Sequence, residues 1–326
     1  MVKKLLWLII FCSSVYAIDV QPDKNTFKKN IATLKEEALQ LGISCKVVDQ
    51  VFPAITFKKE IINKDSSQPA SLESTEHYLS QRVRPSRIKF GRKFLHTNAA
   101  HFIPICHKFG VDFELLIALW AVETDFGTNM GKFHSFSGMA TLMCTRRYDF
   151  FKKEFLTLLQ LVNKDVVRLE NLEGEWAGAH GHFQFMPTTI AKYGIDYDKD
   201  GVIDLKGSLD DAFASAANYM RALGWKYGMP WGYEVALEHE LPEGLISISS
   251  RHLKAKKRLQ EWFDLGVIPF NAETVNYAEL SAWLILADGK VNKYYVVFDN
   301  FKAILRWNNS FKYGLMVGLL MEQIKS

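Results

Sequence analysis

The feature that most constrains this chain lies between Asp112 and Met130. From Leu115 to Val122 every residue is apolar, Asp112 supplies an N-cap, and Gly127 supplies a stop. A helix that is apolar all round is a buried helix. Its last turn carries one carboxylate, Glu123, which on a 3.6-residue repeat stacks over Leu116, Leu119 and Trp120. A carboxyl drawn into apolar surroundings tends to keep its proton, which is the state a general acid needs near neutral pH. A Glu near a helix end is more commonly solvated or salt-bridged, so the reading turns on the rest of the chain.

With 326 residues, 48% of them hydrophobic, the chain can bury a large core. Residues 1–17 read as a signal peptide: Lys3 and Lys4, an apolar core from Leu5 to Phe11, and a small-residue cleavage site at Val15-Tyr16-Ala17. That core is too short for a permanent span, and the mature chain holds no transmembrane segment. Bulky Phe11 before Cys12 argues against lipid attachment, so a soluble periplasmic protein is expected. Cleavage removes two lysines and no acids, taking the formal charge of +4 to +2, which is no nucleic-acid signature. Cys45, Cys106 and Cys144 then remain at spacings that fit neither a disulfide framework nor a metal, leaving open whether Cys106 and Cys144 pair.

Periodicity gives an amphipathic helix over 25–41 with Ile31, Leu34, Ala38 and Leu41 on one face, then a short helix to Val51. Residues 59–75 read as a polar connector. A helical stretch from Tyr78 to Lys108 is expected to break at Pro85 and Pro104. Phe151, Phe155, Leu158 and Leu159 form a core stripe within a mainly helical 141–170. The basic run 251–258, ahead of Leu259, Trp262 and Phe263, reads as a solvated helix face. Runs at 283–286 and 294–298, around Asp288-Gly289, suggest a small antiparallel sheet. Tyr313, Val317, Leu320 and Ile324 mark a closing helix that docks on the core.

Two further stretches carry chemistry. Gly174 to Pro187 interleaves small residues (Ala177, Gly178, Ala179, Gly181) with Trp176, Phe183 and Gln184, a mixture suited to a flat polar ligand such as a sugar. A helix-to-helix turn packed for its own sake fits it equally well. Asp196, Asp198 and Asp200 at alternate positions, Gly201, and Val202 offering its carbonyl form the first half of an EF-hand calcium loop. Gly207 stands where the closing Glu is usual, so Asp211 or Asp210 must close the site. The pair Arg146-Arg147 is a candidate for an anionic ligand group, though a solvated loop is its commoner fate.

Taken together these residues resemble the lytic murein transglycosylase B family. The helix ending Val122-Glu123-Thr124 with Phe126-Gly127 is similar to the family's catalytic helix. Ala177-Gly178-Ala179, Gly181 and Gln184-Phe185-Met186-Pro187 resemble its cleft segment, and the Asp loop resembles its late-closing calcium site, matching Asp211. Ala217-Asn218-Tyr219, Gly224-Trp225 and Arg306-Trp307-Asn308-Asn309-Ser310 with Tyr313 follow as in that family. Ala121 replaces a Gly, Glu175 a Ser and Trp307 a Tyr, and the stretch before Arg146 is short.

The resemblance implies a mainly α (α+β) fold: a lysozyme-like helical core, an N-terminal helical subdomain and a small antiparallel β subdomain near the C-terminus. The expected division is 18–75 for the N-terminal helices and connector, 76–235 for the catalytic core, 236–300 for the β subdomain and 301–326 for the returning helix. It implies non-hydrolytic cleavage of the β-1,4 bond between N-acetylmuramic acid and N-acetylglucosamine. Glu123 alone serves as acid and then base, giving 1,6-anhydromuramoyl ends. Glu175, Trp176, Gln184, Tyr219, Asn308, Tyr313, Arg146 and Arg147 are the expected substrate contacts. Calcium on Asp196, Asp198, Asp200, Val202 and Asp211 is structural, and no organic cofactor is implied. Peptidoglycan strands are the expected partner, with cell-wall synthesis or remodelling proteins beside them and no nucleic acid. Two other readings stay open: a hydrolysing muramidase using Glu175 or Asp125 as second carboxylate, and a calcium-stabilised peptidoglycan-binding protein without turnover.

Overall fold

The computed structural model describes residues 23–66, 73–242, 244–270 and 276–326, so the leader expected at 1–17 lies outside the described residues. In chain order the first helices are α1 (Lys24–Gln40), α2 (Cys45–Val51), α3 (Lys59–Ser66), α4 (Thr75–Arg82), α5 (Pro85–Phe109) and α6 (Phe113–Thr124). Next come α7 (Ser135–Leu142), α8 (Tyr148–Asn163), α9 (Pro187–Tyr193) and α10 (Leu209–Ala222). The last are α11 (Leu259–Asp264), α12 (Asp299–Trp307) and α13 (Phe311–Lys325). The chain is thus mainly helical, as expected. It divides into two compact units, one holding the described residues of Met1–Ala70 and Glu123–Tyr219, the other those of Ser71–Val122 and Met220–Ser326.

In the first unit Asp23 caps α1, accepting from the amides of Asn25 (2.6 Å) and Thr26 (2.8 Å), and the helix buries Phe27, Leu34 and Ala38. Leu41, expected on that face, is 52% exposed. The helix stops one residue earlier and Gly42 (φ +79°) turns the chain, so Ile43 is buried instead. Residues 59–66 form α3 rather than a connector. One apolar anchor, Ile61, is fully buried, and the amides of Thr56 and Lys58 donate to Ser137 Oγ and Thr141 Oγ1 on α7. Tertiary anchoring of this kind leaves no periodic signal in a polar stretch. Every residue of α7 is buried, and α8 presents Phe151, Phe155, Leu158 and Leu159 at 0% exposure, as the stripe requires. A two-residue ribbon pairs β1 (Phe133–His134) antiparallel to β2 (Glu173–Gly174).

In the second unit α5 runs 25 residues through Pro104 without breaking there. Phe102, Ile105 and Phe109 are buried around the proline, and that packing offsets the lost helical hydrogen bond. Phe94 of α5 meets Phe113 (6.1 Å) and Trp120 (4.9 Å), so aromatic contacts seat α6 on α5. Residues 115–121 are all buried, as the run apolar on every side demands.

The strands of this unit are β3 (Gly232–Leu237), β4 (Ile246–Ser247), β5 (Lys256–Arg258), β6 (Val267–Pro269), β7 (Ser281–Ala287) and β8 (Lys293–Val297). They form one sheet in the order β4-β7-β8-β3-β6, with β5 also on β7. The sheet is larger than expected and mixed, because β4 runs parallel to β7. The basic run is no helix face: Lys256–Arg258 is strand β5, paired antiparallel with Ser281–Trp283. Alternation with β-pairing outweighed the helical spacing of Leu259 and Trp262, which begin α11 only afterwards. Trp262 is fully buried against the sheet, its indole donating to Ala282 O at 3.1 Å. The closing helix α13 buries Tyr313, Val317, Leu320 and Ile324. Cys45, Cys106 and Cys144 are free thiols; burial pushes Cys106 up to about 12 and Cys144 to about 11, so neither buried thiol ionises near neutrality.

Candidate active site

Glu123 is half-buried at the end of α6, and the chain directly beyond it is held in an unusual turn. Asp125 (φ +51°), Phe126 (φ +60°) and Gly127 (φ +82°) are left-handed in succession. A left-handed aromatic costs about 1–3 kcal/mol and persists only where its surroundings over-determine it. Here Thr124 is the fastener. Buried at 1% exposure, its Oγ1 donates to His182 O at 2.8 Å and accepts from Gly127 N at 3.0 Å. Asn129 N then returns to Thr124 O at 2.9 Å.

The partner in that bond, His182, lies in a tight reversal of the chain. His180 and Phe185 exchange both backbone hydrogen bonds at 2.9 Å, and Gln184 between them takes φ +52°. His182 N donates to Leu205 O at 2.9 Å. At Gly181 (φ +68°) a Cβ would lie 2.2 Å from Leu205 O, so only glycine lets these backbones approach. Gln184 donates Nε2 to Gly181 O (2.9 Å) and to Met130 O (3.4 Å), while its buried Oε1 finds no donor among the described residues. An orphaned buried acceptor on a strained residue is a mark of a functional wall.

The loop after Glu123 also meets the segment 173–179. A Cβ on Gly131 (φ +88°) would sit 2.1 Å from Gly174 O, and β1 pairs with β2 directly beyond. Glu175 is half-buried and Trp176 is 6% exposed. Tyr219, half-buried, stacks on Tyr193 (4.6 Å) and meets Phe185 edge-on (5.6 Å); burial raises its phenol above the usual range. The first unit therefore brings Glu123, the 125–131 turn, Glu175, Trp176 and Gln184 into one neighbourhood, with Tyr219 behind Phe185.

The remaining expected contacts are placed differently. Arg147 is ion-paired with Asp65 of α3 and lies over the Phe151 ring at 4.8 Å, while Arg146 is exposed. Asn308 is the half-buried C-cap of α12 and Tyr313 is buried in α13, both in the second unit. Thr124 and His182 escaped sequence reasoning. Their roles rest on a hydroxyl and a backbone carbonyl, which leave no spacing signature.

Three carboxylates gather elsewhere in the first unit. Asp196, Asp198 and Asp211 each offer an oxygen within 4.8 Å of the others. Asp211 is 1% exposed and accepts from the amides of Tyr197 and Asp204, both at 2.8 Å. Gly201 (φ +92°) makes the sharp turn that such a loop needs. This all-oxygen donor set, closed by Asp211, fits a hard cation such as calcium. Asp200 stands apart from the trio, bonding Val202 N (2.8 Å) and pairing with Arg168 (3.4 Å), and Val202 is buried.

The transglycosylase SLT domain family matches residues 26–322. The chain therefore belongs to that family. Membrane-bound lytic murein transglycosylase B of Escherichia coli K12 is 28% identical over 249 residues, an alignment covering 76% of this chain and 66% of that relative. Among solved structures, SltB3 from Pseudomonas aeruginosa in complex with NAG-anhNAM-pentapeptide superposes with a TM-score of 0.82 at 33% identity, over 92% of this chain and 80% of that one. E. coli lytic transglycosylase SLT35 in complex with calcium gives 0.76 at 25% identity, over 94% and 98%. The mainly α, lysozyme-like architecture of the lytic transglycosylases is thereby established for this chain.

Proposed function

We propose that this protein is a peptidoglycan lytic transglycosylase in which Glu123 is the sole acid and base. The observation that carries this reading is the junction at Thr124, which fastens the residue beside Glu123 to the strained, sugar-suited wall bearing Gln184. Family membership supports the reaction class. Protonated Glu123 gives its proton to the glycosidic oxygen between N-acetylmuramic acid and N-acetylglucosamine. The C1–O bond breaks, and the resulting carboxylate takes the proton of the muramoyl 6-hydroxyl as that oxygen bonds to C1. No water is consumed, and Glu123 ends protonated as it began. Gln184, Glu175, Trp176 and Tyr219 hold the sugar, with Asn308, Tyr313, Arg146 and Arg147 as further contacts. Substrate assistance by the acetamido group explains why one carboxylate suffices.

Mass spectrometry of digested peptidoglycan tests the reading, because anhydro and reducing ends differ by one water. Anhydro ends are expected; reducing ends would convert the assignment to a hydrolytic muramidase using Glu175 or Asp125.

Asp196, Asp198 and Asp211, with Asp200 and the Val202 carbonyl drawn in, would hold calcium as a structural staple. Calcium at about 100 times its Kd should stabilise the fold by about 2.7 kcal/mol. The check is a higher melting temperature in calcium than in chelator for the wild type and no difference for Asp211→Ala. A wild-type melt indifferent to chelator discards the metal. The leader at 1–17 supports export to the periplasm, where the substrate lies, and no described helix is long and apolar enough to cross a membrane.

A further inference from the structure

We propose that Glu154, on α8, is a positioning residue for the reaction, fixing from a neighbouring helix the chain that presents Gln184. The inference rests on the function proposed above and adds a residue outside the cleft segment. Glu154 is 2% exposed and interrupts the apolar stripe of Phe151, Phe155, Leu158 and Leu159. A carboxylate in such a place is costly unless bonded, and both oxygens are committed to one residue. Oε2 accepts from Thr188 N at 2.8 Å and Oε1 accepts from Thr188 Oγ1 at 2.7 Å.

The need for this clamp is local. The segment entering α9 offers no side-chain cap of its own, and Pro187 has no N–H, so Thr188 carries the first amide the helix start leaves open. Between Thr188 and Gln184 there is little slack. Pro187 has a fixed φ, Met186 is extended (φ −71°, ψ 150°), and Phe185 is doubly bonded to His180. Pinning Thr188 therefore helps hold Gln184 at φ +52°, a conformation it would leave if the chain behind it were free. An apolar side chain would fill the stripe without burying a charge, but it would leave the Thr188 amide and hydroxyl without this acceptor. The carboxylate is explained by the direction its two bonds impose on the chain.

The test compares Glu154→Leu, Glu154→Gln and Thr188→Val with wild type and Glu123→Gln, measuring kcat, KM and melting temperature on soluble glycan strands. Glu154→Leu should lower kcat about tenfold or more, a barrier change of about 1.4 kcal/mol, whatever its melting temperature. Glu154→Gln should stay within about threefold of wild type, because an amide can accept from Thr188 N while donating to Thr188 Oγ1. Thr188→Val loses only the hydroxyl bond and should show a loss of about fivefold, also in kcat. Wild-type kcat in Glu154→Leu overturns the proposal, and if that variant does not fold, wild-type kcat in Thr188→Val overturns it. A wild-type protein with no turnover is a separate result: it sinks the function proposed above and this inference with it.

Discussion

Glu123→Gln is expected to cut turnover of purified peptidoglycan by at least about a thousandfold while leaving sacculus binding and the melting temperature nearly unchanged. General acid–base assistance is worth about 10²–10⁴-fold for one proton transfer, and in the proposed reaction one side chain serves two transfers in sequence. The amide keeps the shape of the acid and can still hydrogen-bond, but it has no proton to give up near neutral pH and no carboxylate state to take one back. Structural damage is not expected, because Glu123 is half-buried and the knot beneath it is tied through Thr124. Turnover equal to wild type would sink the assignment, and lost binding at unchanged melting temperature would make Glu123 a contact residue instead. The same experiment separates an enzyme from a peptidoglycan-binding protein without turnover, whose behaviour should not notice the exchange.

Acid should destabilise the fold through His180. Burial pushes its imidazole from 6.5 down to about 4, with Lys206 adding in the same direction. Between those two values the unfolded chain binds a proton that the folded chain refuses, so stability present above pH 6.5 is lost as pH falls toward 4. The full loss is about 3 kcal/mol. His182 and His134 are lowered by burial too and act with the same sign. Thermal melts at intervals between pH 7.5 and 4 should show the decline, and His180→Phe should flatten it. An unchanged slope in that variant assigns the acid sensitivity to other groups. His180 pairs through its backbone with Phe185, so the titrating ring sits at the base of the reversal that carries Gln184.

Much of this was legible in the residues. The run apolar on every side became the buried α6, the Phe151–Leu159 stripe became the inner face of α8, and the spacing of Tyr313, Val317, Leu320 and Ile324 gave α13. What was missed shares one cause. Helix α3 is held by buried Ile61 and by Asp65 paired with Arg147, α5 passes through Pro104 because its neighbours pack around it, and β5 is a strand because β7 offers an edge. Each depends on a partner distant in the chain, which local periodicity does not encode. The site divides in the same way. Glu123, Gln184 and the aspartates are candidates by type and spacing, and Asp211, the late-closing residue of that reading, lies with Asp196 and Asp198. Thr124, His182 and Glu154 bond to backbone or to one distant threonine, and nothing in their sequence context signals it. Asp200, at a ligand position by spacing, pairs with Arg168 at 3.4 Å and is assigned to the cation site only as part of the proposal.

The hydroxyl of Thr124 has only one hydrogen, and the carbonyl of His182 already claims it. That side chain therefore has nothing left to hand along to the acid next door. In the reaction proposed for this chain both transfers at Glu123 are made with the sugar itself, so Thr124 serves as a fastener alone.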